Sequence, residues 1–229
     1  MKLIIFDCDG TIADSQHMIL AAMERSFEAH DLAPPDRAQV VGVIGLSLEQ
    51  AISNLLSDAD SYPDLITNLT EGYKRAFQTL RSDPSHVEPL FDGAHNVLKS
   101  LSARDDVVLG MATGKSTRGV IRLLERENLM PYFATIQTAD EHPSKPHPSM
   151  IVTAMNEVGA KAHDTLMIGD TTFDIDMAKA ANAGSIGVTW GYHPKNDLQD
   201  ARPDALVDTF DALPKAIIAI WEKRSESVA

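Results

Sequence analysis

Leu3-Ile4-Ile5-Phe6-Asp7-Cys8-Asp9-Gly10-Thr11 runs four apolar residues straight into two carboxylates and a glycine. So short an apolar run, stopped by charge, has the pattern of a strand buried on both faces. It is too short for a secretory leader or a bilayer span. Carboxylates at i and i+2 beside such a strand are costly to desolvate unless a cation or hydrogen bonds compensate them. Hard oxygen ligands suit magnesium, which keeps part of its water shell and meets substrate phosphate. A polar Asp-Gly turn would use the same residues, so the meaning of the pair depends on the rest of the chain.

Further apolar runs at 107–112, 134–137, 165–169, 185–189 and 205–207 predict five more strands. Helical spacing predicts helices from a cap at Asp14 or Ser15 through Phe27, and over about 116–127, 148–158, 173–183 and 210–221, the last anchored by Trp221. This alternation predicts an α/β fold, a parallel sheet with helices on both faces and ligands at the carboxyl ends of its strands. Residues 16–88 break the alternation. They hold no strand pattern, show helical spacing at 47–56 and 65–80, and end in the interruptions Asp83-Pro84 and Glu88-Pro89. The expected organisation is a core of residues 1–15 and 89–229 with a helical insertion over 16–88, hinged near 14–17 and 84–92.

The formal charge of -13 repels polyanions, so neither nucleic acid nor an anionic membrane is an expected partner. A phosphate-bearing substrate would need positive charge gathered locally. Cys8 is the one cysteine, which fits a reducing, cytoplasmic setting. Between two carboxylates it reads as a small buried filler rather than a nucleophile.

A second acidic cluster, Gly169-Asp170-Thr171-Thr172-Phe173-Asp174-Ile175-Asp176, follows the 165–169 strand. Helix capping accounts well for Asp174 and Asp176. It accounts less well for Asp170, a second acidic strand end in the same sheet, and two such ends that converge make a metal site. Ala112-Thr113-Gly114-Lys115-Ser116 places a hydroxyl and free N–H groups at a helix start, where phosphate can be held. A nucleotide loop is excluded, because G-x-x-x-x-G-K-[ST] needs glycine at position 109 and Leu109 stands there. Ser144-Lys145-Pro146 gives a lysine stiffened by proline that can neutralise carboxylate and phosphate, although lone lysines are mostly solvated. His142 and His147 flank it, but prolines break any shared helical face for zinc.

Taken in order, Asp7-x-Asp9-Gly-Thr-x-x-Asp14-Ser15, Thr113-Gly-Lys, Lys145-Pro and Gly169-Asp170-x-x-x-Asp174 resemble the four motifs of the haloacid dehalogenase superfamily, across nearly the whole chain. The resemblance implies a Rossmann-like core with a small helical cap inserted after the first strand. It implies that Asp7 attacks phosphorus and that Asp9 protonates the leaving oxygen and then activates water. Thr113 and Gly114 would grip the phosphoryl oxygens, and Lys145 would steady nucleophile and phosphate. Mg2+ would be held by Asp7, the backbone carbonyl of Asp9 and Asp170, with Asp174 acting from further out or through water.

The presence of Asp9 favours phosphoryl chemistry over dehalogenation. Residues 43–49 resemble the cap's specificity loop, without the lysine of a phosphonate-cleaving member or the arginine of a sugar-phosphate mutase. The expectation is a phosphatase acting on a small phosphorylated metabolite, similar to the phosphoglycolate phosphatase group, whose flavour Trp190-Gly191-Tyr192-His193 also has, and working as a monomer or homodimer. Pyrophosphate hydrolysis, a mutase reaction and a non-enzymatic binding role are the alternatives. Ser47, Lys74 and Arg75 are candidate substrate contacts.

Overall fold

Six parallel strands carry the molecule in a computed structural model that describes residues 1–56, 63–83 and 85–226. They are β1 (Lys2–Phe6), β2 (Val107–Thr113), β3 (Phe133–Thr138), β4 (Thr165–Gly169), β5 (Gly184–Val188) and β6 (Ala205–Val207), in the order β3-β2-β1-β4-β5-β6. The opening run is the centre of the sheet: Leu3 faces Val108 on one side and Thr165 on the other. Its four apolar residues, Leu3 to Phe6, are wholly buried because both faces of the sheet are covered.

Between β1 and β2 the described elements are all helical: α1 (Gln16–Glu28), α2 (Arg37–Val41), α3 (Leu48–Leu55), α4 (Pro63–Arg81) and α5 (Ala94–Ser102). Then follow α6 (Thr117–Arg126), α7 (Ser149–Val158), α8 (Thr172–Ala180), α9 (Lys195–Asp200) and α10 (Leu213–Glu226). Alternate residues of β1 serve opposite faces. Ile4 and Phe6 pack with Val97, Leu98, Leu124 and Trp221 of α5, α6 and α10. Leu3 and Ile5 pack with Met150, Ile151 and Met177 of α7 and α8.

Helices α1 to α4 close a core of their own. Ile19, Met23 and Phe27 meet Ile52 and Leu69, each worth about 1.5–3 kcal/mol once buried. The chain leaves and re-enters the sheet region through segments 12–14 and 89–91, which lie side by side: Asp14 N–H donates to the Pro89 carbonyl (2.8 Å) and Phe91 N–H to that of Ile12 (3.0 Å). Pro84, expected to interrupt the insertion, lies outside the described residues.

Several elements depart from the expected pattern. Helix α8 stops at Ala180 rather than 183, because Asn182 adopts a left-handed backbone (φ 56°) and ends it. The five-residue α2 rests on a capping box between Asp36 and Gln39, and neither α5 nor α9 was anticipated. The final helix begins with a 3-10 turn, Phe210–Ala212, and runs on to Glu226. No helix among the described residues is long and apolar enough to cross a membrane.

Candidate active site

With this strand order, connections depart in opposite directions from β1, and a crevice opens at its carboxyl end. Asp7 is the first residue past that end. Its N–H continues the ladder by donating to the Ile168 carbonyl (2.9 Å), which fixes the carboxylate at the mouth of the sheet. Asp170 follows β4, and Asp174 sits in the first turn of α8. One oxygen from each of Asp7, Asp170 and Asp174 lies within 4.8 Å of the others, and all three residues are buried. Lys145 Nζ, also buried, lies 2.9 Å from Asp7 Oδ1 and 2.6 Å from Asp174 Oδ1.

One ammonium therefore pairs with two of the three clustered carboxylates. Asp174 Oδ2 also accepts the Thr171 N–H (3.1 Å) and hydroxyl (2.8 Å). Asp170 accepts the Thr11 hydroxyl (2.9 Å) and the Tyr192 N–H (2.8 Å). Asp7 is left short. Despite the Lys145 ion pair, neither of its buried oxygens receives an aligned hydrogen bond. Burial pushes the Asp7 carboxyl up to about 7, with Lys145 and the Thr113 hydroxyl pulling down and Asp174 pushing up. Burial, then the charges of Asp7 and Asp174, raises Asp170 as well. An all-carboxylate donor set, buried and under-compensated, fits a hard divalent cation. The glycine of the opening motif belongs to this cluster. Gly10 holds φ +84°, and a Cβ there would sit 2.2 Å from Asp170 Oδ2.

The Asp9 side chain is not part of the cluster. Its Oδ1 accepts the Ser15 hydroxyl at 2.5 Å and the Lys115 ammonium at 2.7 Å. Lys115 also reaches Glu88 Oε1 at 2.7 Å, and Glu88 pairs with Arg81 at 3.2 Å. Burial alone would strip the proton from Lys115, but Asp9 and Glu88 outweigh it and hold the lysine protonated. Ser15 occupies the N-cap of α1 as expected, yet its hydroxyl makes no capping bond and serves Asp9 instead. Tyr192 completes the support: its hydroxyl accepts the Ser15 N–H (2.9 Å) while its ring packs among the α1–α4 residues.

A cavity of about 950 Å³ lies in front of these groups, walled by Asp7, Asp9, Thr113 and Lys115 on the sheet side. Residues 43–49, Tyr73 and Phe77 wall it on the helical side. Of the candidate contacts, Ser47 and Lys74 line it and Arg75 does not. Lys145, Asp170 and Asp174 are not on its surface, so Asp7 is the cluster's exposed corner toward the cavity. The two walls touch at Gly114, where a Cβ would fall 2.3 Å from the Leu46 carbonyl oxygen and 2.7 Å from that of Gly45. Backbone oxygens cannot rotate away. Gly114→Ala therefore forces the loops apart and is expected to cost roughly 10- to 100-fold in kcat/KM, the scale of a 1 Å misplacement. Steady-state kinetics check this; an unchanged kcat/KM would mean that the loops part during turnover.

The structure thus brings Asp7, Lys145, Asp170 and Asp174 together at one point, with Thr113 and Gly114 on the adjoining loop. Asp174 is closer in than expected: it contributes an oxygen directly to the cluster. That Lys115, Ser15 and Glu88 surround Asp9 was not read from the sequence. Glu88 and Lys115 stand 27 residues apart in the chain, and only the fold brings their side chains together. Both ring nitrogens of His142 are engaged in hydrogen bonds, with Gln137 Oε1 and Ser149 Oγ, each at 2.8 Å. Cys8 is a buried free thiol whose pKa burial and Asp9 push up.

Three buried carboxylates around one lysine, reaching a large cavity through Asp7, make a candidate active site of the hydrolase kind. A family model described as haloacid dehalogenase-like hydrolase matches residues 4–188, and the chain belongs to that family. It is 36% identical over 231 residues to the Probable phosphatase IndB of Dickeya dadantii, covering 99% of this chain and 98% of that one. It is 27% identical to a Phosphoglycolate phosphatase of Vibrio parahaemolyticus, covering 95% and 96%. Among solved structures, a predicted phosphatase from Clostridium acetobutylicum superposes with a TM-score of 0.81 at 27% identity, covering 95% of this chain and 98% of that one.

Proposed function

We propose that this protein is a magnesium-dependent phosphatase that hydrolyses a small-molecule phosphomonoester through an aspartyl-phosphate on Asp7. The observation that carries the reading is the Asp7 carboxylate itself, buried at the cavity's edge without an aligned hydrogen bond. With Lys145 on Oδ1, the other oxygen, Oδ2, is left available to a phosphorus atom. The phosphatase names borne by the relatives from Dickeya and Vibrio support the same class of substrate.

In this reading Asp7 attacks phosphorus, and the ester oxygen leaves with a proton from Asp9. Water then attacks the phosphoryl group, gives its proton to Asp9 and releases Asp7. Ser15 and Lys115 orient Asp9 for both transfers. Thr113 and the N–H groups around Gly114 hold the phosphoryl oxygens, and Lys145 neutralises Asp7 as charge shifts. Asp7, Asp170, Asp174 and the Asp9 carbonyl would hold Mg2+, which supplies positive charge against the phosphoryl oxygens. Residues 16–88 act as a cap domain over the core of 1–15 and 89–229 and keep bulk water out. The cytoplasm is the compartment this chemistry suits.

The test is phosphate release from an aryl phosphate by the purified protein, followed by a panel containing phosphoglycolate, pyrophosphate and sugar phosphates. Release should depend on Mg2+ and stop on chelation. Folded protein that frees phosphate from no member of the panel would overturn the reading.

A further inference from the structure

The cavity is larger than a phosphoryl group and a two-carbon acid require. At about 950 Å³ it lies at the upper end of the range for drug-sized ligands. Its basic side chains are unevenly committed. Lys74 is paired with Glu71, Arg81 with Glu88, and Lys115 with Asp9 and Glu88. Arg118 and Arg122 also line the cavity, and among the described residues neither has an ion-pair or hydrogen-bond partner. Two arginines left uncommitted on one cavity wall are notable in a chain of net charge -13.

Their placement is specific. Both lie on α6, which starts directly after the Thr113-Gly114-Lys115 loop. At i and i+4 they share a helix face, and about 6 Å of helix axis separates them. The start of α6 is itself already occupied, since Thr117 N–H donates to Asp140 Oδ2 (2.8 Å) and Gly119 N–H to Ser116 Oγ (3.3 Å). The positive charge that remains open is therefore that of the two side chains, displaced along α6 from the loop next to Asp7. Glu49 and Asp140, the other acidic residues on the wall besides Asp7 and Asp9, are not within ion-pair distance of either arginine.

We infer that Arg118 and Arg122 form a second anion subsite, and that the substrate is a phosphate ester whose leaving group carries a further anionic group, phosphate or carboxylate, on a sugar-sized skeleton. The inference rests on the phosphatase reading and extends it. Phosphorus is attacked at Asp7 while the distal anion is held by guanidinium groups of the core, so part of the selectivity resides on α6 rather than in residues 16–88. Arginine suits the task because its planar fork binds phosphate or carboxylate with two hydrogen bonds.

The experiment measures kcat/KM of the magnesium-loaded enzyme for three classes of ester: a sugar bisphosphate, a sugar phosphate bearing a distal carboxylate, and the matching sugar monophosphate with a neutral tail. The wild type should prefer one of the anionic-tailed esters over the neutral one. In the Arg118→Ala/Arg122→Ala double variant this preference ratio should fall about 100-fold, as expected for losing charge-assisted hydrogen bonds, mainly through KM. Arg122→Lys should restore part of it. Whichever anionic tail responds identifies the group bound. A ratio unchanged within twofold in the double variant, or a wild type that prefers the neutral tail, overturns the subsite while leaving phosphate release intact. Absence of release from all three esters would instead strike the phosphatase reading on which the subsite depends.

Discussion

Asp7→Asn is expected to lower phosphate release from an aryl phosphate by at least about 10⁴-fold, the scale seen when a covalent nucleophile is removed. Asparagine keeps the shape of the side chain and its place at the end of β1. It removes the charge, and an amide oxygen does not attack phosphorus. The fold should survive the change. The cluster holds three buried carboxylates against one lysine, and Lys145 keeps its 2.6 Å partner in Asp174. Thermal unfolding in chelator should therefore give an unchanged or higher midpoint for the variant. Loss of activity accompanied by a collapse in stability would mean that Asp7 is a structural carboxylate. Full activity would end the covalent mechanism.

Lys145→Met should have the largest effect on stability. Methionine fills most of the lysine's volume but brings no charge, and three buried carboxylates are left facing one another. Removing one partner of a buried ion pair costs about 3–5 kcal/mol, or about 6–20 °C in midpoint for a chain of this size. The loss should depend on pH in a defined direction. Burial already raises Asp7 to about 7 in the parent, so its ionised form opposes folding. Without metal, that penalty is absent below about pH 4, where the carboxyl is neutral in both states. It grows as the pH rises toward 7, because the unfolded chain ionises first. In the methionine variant the penalty deepens, and acidification to about pH 5 should recover part of the lost stability. Magnesium should recover stability at neutral pH by binding only the folded cluster. Denaturant melts with and without chelator, at pH 5 and 7.5, distinguish these outcomes. A variant as stable as the parent under all four conditions would show that Lys145 does not balance the cluster.

The sheet was readable because its strands are apolar runs ended by abrupt chemistry. The runs at 165–169 and 205–207 coincide with β4 and β6, and the others shift by a residue or two. Periodicity says less where capping chemistry decides: α8 ends at a left-handed Asn182, and α2 exists through Asp36 and Gln39. Asp7 and Asp170 were legible as acidic strand ends, whereas Asp174 and Lys145, a capping residue and a loop lysine by local pattern, joined them only through the resemblance to the four motifs. The support around Asp9 was not, because Ser15, Lys115, Glu88 and Tyr192 are ordinary residues until folding brings them together. Ser15 shows the limit plainly. Local sequence offers it as a helix cap, and only the position of Asp9 draws its hydroxyl elsewhere.

The central place of β1 has a consequence for biosynthesis. Leu3 pairs with Val108 and Thr165, residues translated more than 100 and 160 codons later. While the ribosome is still making the helices and β2, four consecutive apolar residues and the Asp7 carboxylate have no sheet to join. Pairings this distant in sequence are slow to close and leave the strand open to wrong partners. The carboxylates that follow the run at once act meanwhile as charged gatekeepers against aggregation. The acidic pair to which we assign the chemistry on phosphate would thus first serve to keep the nascent chain in solution.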